Sequence, residues 1–153
     1  MATTYKLNAD ERGVIGCGYT HVAKLTYADF PATSAPGVAV YTLQPGDVVH
    51  PQAALYIKTA FSGGSGLSVT VGTTASATTH TVNIMQSKTI TSSVAGDTFA
   101  SLGPTATTEI GKSYAASTTI AVAPTVTGTY TAGEVWVFFT VGQLGALASG
   151  AQL

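Results

Sequence analysis

Three histidines (His21, His50 and His80), a single cysteine (Cys17) and seven Asp and Glu residues are the groups that could do chemistry in this chain. The histidines are scattered and lack the short spacing of a metal-ligand pair. Asp47 and His50 are close in sequence and could join Cys17 or a serine in a triad, but no local signature surrounds them. A histidine beside Pro51 in a turn reads as simply exposed. The acidic residues are dispersed, so no paired-carboxylate site can be argued. Gly111-Lys112-Ser113 resembles the end of a phosphate-binding loop, yet Ala106 stands where that loop needs its first glycine. Gly64-Ser65-Gly66 resembles a nucleophile elbow, yet Leu67 stands where its last glycine belongs. The sequence therefore predicts no enzyme, no cofactor and no metal site.

The elements around these residues must come from an unusual composition. The chain has 153 residues, which suits one domain. A chain of this length buries about 70% of the surface its unfolded form exposes, so a core needs no disulfide. Cys17 is alone in any case. Charged residues are only 8% of the chain, against roughly 25% in typical globular proteins. The wealth of Thr, Val, Ala and Gly is the reverse of a disordered composition. Net charge is −1 with six Lys and Arg, which gives no basic stripe for nucleic acid and no polybasic membrane anchor. A weakly charged free monomer tends to associate, which fits a protein that works docked on a partner. A Thr-rich extracellular surface is the competing explanation. The first residues, MATTYKLNADERGV, hold no apolar core of a signal peptide. The longest apolar run, Val135 to Phe139, is too short to span a bilayer.

Residues 1–20 read as an irregular N-terminal arm, because Gly13, Gly16 and Gly18 discourage helix and strand alike. Residues 21–141 read as a β-sandwich domain and 142–153 as a weak C-terminal tail. Candidate strands are His21–Tyr27, Val38–Leu43, Ala53–Phe61, Leu67–Val71, Thr81–Met85, Lys88–Thr91, Ser117–Val122 and Glu134–Val141. Period-2 alternation assigns Leu55, Ile57, Phe61, Val69, Val71, Ile120, Val135, Val137 and Phe139 to one shared core. Gln44-Pro45-Gly46-Asp47 and the Gly-rich stretch after Ser62 are turn signals. The fold class predicted is all-β: an antiparallel, jelly-roll-like sandwich of about eight strands. Trp136 and Phe138 make the opposite face of the last strand apolar as well. They are candidate subunit-interface residues, since aromatics concentrate at interface centres.

From His21 to Val141 the chain resembles the jelly-roll decoration, or cement, proteins of tailed-bacteriophage capsids. The resembling phrases are LTYADF (25–30), YTLQPGDVVHPQAALYIKTAF (41–61), LSVTVGTTA (67–75), STTIAVAPTV (117–126) and TAGEVWVFFTV (131–141). Residues 1–20 match no phrase of that family. The resemblance implies a structural virion protein, commonly a homotrimer. It would sit on the capsid's outer surface and stabilise the shell by bridging major capsid protein subunits. An N-terminal arm would then reach the capsid through Tyr5, Leu7, Arg12, Val14 and Ile15. The second reading is a glycan-binding module of a head or tail fibre that recognises host-surface sugars, with Tyr56, Tyr114 and Tyr130 as candidate platforms.

Overall fold

The computed structural model describes residues 2–15, 18–30, 37–76, 79–104 and 118–143. Among these residues nine strands form two antiparallel sheets. They are β1 (Thr3–Lys6), β2 (His21–Thr26), β3 (Val38–Thr42), β4 (Asp47–Ser62), β5 (Gly66–Ser76), β6 (Thr79–Thr89), β7 (Thr98–Leu102), β8 (Thr119–Thr127) and β9 (Ala132–Gln143). One sheet has the order β1-β2-β9-β4-β7 and the other β3-β8-β5-β6. The pairings nest: β2 with β9, β3 with β8, β4 with β7 and β5 with β6. A long folded-over ribbon of this kind, rolled so that β4 meets β9 and β5 meets β8, is a jelly roll. The predicted fold class stands, with β1 and β7 added and two of the eight candidate strands merged into β6.

The core lies between the two sheets. All nine residues that alternation assigned to it belong to one buried cluster, joined there by Leu25, Leu67, Ile84, Met85, Ile90 and Val122. Strand β9 alternates strictly, with Val135, Val137, Phe139 and Val141 inward and Trp136 and Phe138 outward. It is the central strand of its sheet, flanked by β2 and β4.

Several boundaries differ from the sequence expectation, each for a local reason. β4 starts at Asp47 rather than Ala53 and runs straight through Pro51. The register against β9 shifts between Val49 and Ala53, and this bulge absorbs the missing proline N–H. Two candidate pieces, Thr81–Met85 and Lys88–Thr91, are mostly one strand, β6, interrupted by a register shift opposite Val69 and Val71. β7 had no signal strong enough to be noticed.

The N-terminal segment is the largest correction. Residues 3–6 are not an irregular arm but an edge strand, paired from Thr3↔Lys24 to Lys6↔His21. Ala9–Ile15 form a short helix, α1. Its start is a capping box: Glu11 N–H donates to Asn8 Oδ1 and Asn8 N–H donates to Glu11 Oε2, each at 2.8 Å. Asn8-Ala9-Asp10-Glu11 carries that signal openly, but the glycines that follow outweighed it. The expected tail also begins later, since β9 extends to Gln143; residues 144–153 lie outside the described residues.

Acidic side chains close the turns. In Gln44-Pro45-Gly46-Asp47, Gly46 takes φ 88° and the Asp47 carboxylate accepts the Gln44 N–H at 2.8 Å. Val94-Ala95-Gly96-Asp97 repeats the device, with Asp97 accepting the Val94 N–H at 2.9 Å. Asp29 accepts the Thr26 N–H at 2.8 Å and closes the 3-10 turn at Tyr27–Asp29.

Candidate binding surface

The outer face of the five-stranded sheet carries the candidate site. Register places its residues in rows across three strands. Val22, Phe138 and Ala54 are opposite one another on β2, β9 and β4, and so are Lys24, Trp136 and Tyr56. Such cross-strand neighbours on one face are in direct contact. Leu7 and Tyr19 cover the first row, forming with Val22 and Ala54 a small buried cluster against which Trp136 and Phe138 pack. The Tyr19 and Phe138 rings are 6.2 Å apart.

The second row is less covered. Trp136 packs against Tyr56 with ring centroids 5.6 Å apart. Lys24 Nζ lies 4.5 Å from the Trp136 ring and 4.9 Å from the Tyr5 ring, and Lys58 Nζ lies 5.8 Å from Trp136. Ammonium groups over indole and phenol faces are held by the ring quadrupole. The indole N–H donates to Glu134 Oε1 at 2.6 Å, which fixes the ring about its own axis. Tyr5 remains half exposed, at 50%. An open groove of about 900 Å³ runs over Val22, Trp136 and Phe138, walled by Tyr5, Leu7 and Asn8. The result is an aromatic floor with a rim of mixed charge, Lys6 and Lys24 together with Asp10 and Glu11.

This geometry unites residues that the sequence reading had kept apart. Trp136 and Phe138 stood as subunit-interface candidates, and Tyr5 and Leu7 as capsid-contact candidates; all four share one groove. Arg12 does not join them, and lines a second cleft with Lys6, Thr20, His21 and Tyr41. The side chains of Val14 and Ile15 lie outside the described residues. Tyr56 lies beside the groove, while Tyr130 is a core residue at 8% exposure and no platform. Tyr114 lies outside the described residues, as do Cys17 and the Gly111-Lys112-Ser113 run.

Asp47 and His50 do not form a catalytic pair. His50 is exposed on the β4 bulge, whereas Asp47 is 2% exposed and hydrogen-bonded to Tyr41 as well as to the turn. Burial and the Asp47 charge push the Tyr41 phenol above its ordinary value. Burial, then Lys6, lowers the His21 imidazole against the opposing pull of Asp47. Five of the seven acidic residues are engaged structurally: Glu11, Asp29, Asp47 and Asp97 cap turns or the helix, and Glu134 holds Trp136. Among the described residues no group of three His, Cys, Asp or Glu side chains could hold a metal ion. The second cleft is not legible in the sequence, because its residues come from β1, α1, β2, β3 and β9 and meet only through pairing.

Comparison with protein-family models, with curated proteins and with solved structures found no match.

Proposed function

We propose that this protein is a structural virion component. In this reading it decorates the outer surface of a tailed-phage capsid as a homotrimer and braces major capsid protein subunits. The observation that carries the reading is the groove around Trp136. It is an aromatic and apolar strip on a sheet face, left partly open by the chain's own N-terminal segment. Aromatic anchors with a polar rim are what an interface core uses. The low charge of the whole chain removes the usual barrier to close association. Binding only to the assembled shell would stabilise that state by mass action, and bridging several subunits would add modest contacts through effective concentration.

The test is add-back to undecorated particles. Wild-type protein is expected to saturate the shell and to raise the temperature of genome release. Trp136→Ala, folded by circular dichroism, is expected to lower both occupancy and thermal protection. Equal occupancy by the two proteins overturns the groove as the contact, and native mass spectrometry showing a monomer both free and on the particle overturns the trimer. A second reading rests on the same rings. Tyr5, Tyr56 and Trp136, with Lys24, Lys58 and Glu134 beside them, have the composition of a sugar-stacking platform. Saturable binding to neutral glycans that Trp136→Ala abolishes, with shell occupancy unchanged, would favour that fibre-module reading.

A further inference from the structure

The second cleft, of about 490 Å³, opens on the other side of the N-terminal segment. Its size falls within the range of small-ligand pockets. Lys6 and Arg12, two of only six cationic residues in the chain, stand at its mouth, and both are exposed. Thr4, Thr20 and Gln143 add neutral polar groups, while Tyr41 and Val141 supply an apolar side. No carboxylate is among the described residues that line it. Asp47 lies beneath Tyr41, hydrogen-bonded to the Gln44 N–H and the Tyr41 hydroxyl, while Asp10 and Glu11, the neighbours of Arg12 on α1, line the Trp136 groove instead.

His21 forms the base. Its ring is stacked on Phe139 at 5.4 Å and meets the edge of Tyr41 at 4.8 Å. Thr20 Oγ1 accepts the Val141 N–H at 3.0 Å and shares a hydrogen bond of 2.7 Å with His21 Nδ1. The charged and titratable groups around His21 are Lys6 from β1, Arg12 from α1, Tyr41 from β3 and Asp47 from β4; β9 contributes the uncharged Gln143 and Val141.

We propose that this cleft binds an acidic sugar, with its carboxylate between Lys6 and Arg12 and its ring against Tyr41. Guanidinium and ammonium groups suit a carboxylate, the aromatic edge suits an apolar sugar face, and the hydroxyl and amide groups suit sugar hydroxyls. A bound carboxylate would favour the charged form of His21, so binding tightens as pH falls. Lys6 lines both clefts, but Arg12, His21 and Tyr41 line this one and Trp136 the other, so Arg12→Ala and Trp136→Ala separate the two readings.

The experiment is NMR titration of the full chain, following the His21 ring protons. The probes are N-acetylneuraminate and glucuronate, with galactose as neutral sugar and N-acetylglutamate amide as a stand-in for a protein side chain. The expected result is saturable binding of a sugar acid that raises the His21 pKa above its value in the free protein and tightens as pH falls through the His21 titration. Lys6→Ala combined with Arg12→Ala, both at exposed positions, is expected to weaken it by roughly tenfold or more with the fold intact. Galactose binding as well as the acids overturns the carboxylate assignment. Tighter binding of N-acetylglutamate amide than of either sugar acid overturns the sugar in favour of a protein partner. No saturable shift with any probe overturns the site.

Discussion

Tyr130 buries its phenolic oxygen in the sandwich with no hydrogen-bond partner among the described residues, between the Phe61 ring and the tight turn at Gly64. A buried hydroxyl without a partner has lost its water and gained nothing. Tyr130→Phe keeps the ring packing, with ring centroids 5.9 Å from Phe61, and removes that cost. Thermal or denaturant unfolding is expected to show a gain of about 1 kcal/mol; a loss of that size would mean the hydroxyl has a partner in solution. His21 acts in the opposite sense. Its folded-state pKa lies below the ordinary 6.5, chiefly through burial. The unfolded chain therefore takes up the proton first, so stability is full above about pH 6.5 and falls as pH drops toward the folded value. His21→Gln is expected to flatten the fall in stability below about pH 6.5, measured by denaturant midpoints. Identical slopes for the two proteins would remove His21 from the account.

At the scale of elements, the N-terminal segment decides what the aromatic face exposes. β1 is a four-residue edge strand, and α1 is a seven-residue helix too short to stand alone. Leu7 pins both: its N–H donates to the Thr20 carbonyl at 2.8 Å and its side chain is buried over Val22 and Ala54. Leu7→Ala is expected to cost about 2 kcal/mol, the low end for a buried leucine because the site lies near the surface. It is also expected to make Trp136 more accessible, read as faster acrylamide quenching of its fluorescence. Quenching unchanged from wild type would show that the segment does not cover the ring. A chain lacking residues 2–18 would bare Val22 and Phe138 as well, so its loss of partner binding would carry a loss of solubility with it.

For the whole molecule, the nested pairing means that β2 finds β9 only after most of the chain has been brought together. Closing such long loops before any contact rewards them makes folding slow. Refolding of the described sandwich is expected to fall between about a millisecond and several seconds. Stopped-flow fluorescence can follow it at one defined place, since Trp136 is the sole tryptophan and sits on the central strand that β2 and β4 flank. A major phase in microseconds would contradict the topology.

Period-2 alternation was enough, by itself, to determine the fold class and the interior. The inward sets on β4, β5, β8 and β9 were legible because a one-residue slip would turn each whole set to solvent. Trp136 and Phe138 were legible as an anomaly for the same reason: apolar residues on the face that alternation reserves for polar ones. The capping box at Asn8 was written in the sequence too, though three nearby glycines masked it. Pro51 hid the first half of β4, because a proline in a strand is readable only when the bulge that tolerates it is seen. What only the tertiary structure decided is who meets whom. Tyr5 and Leu7 reach Trp136 because β1 pairs with β2 and β2 with β9, and Lys6 and Arg12 reach His21 and Tyr41 for the same reason. These neighbours are distant in sequence, and no local propensity or periodicity carries information about strand order. That order is set by how the two apolar faces can be buried together, which is a property of the rolled ribbon as a whole.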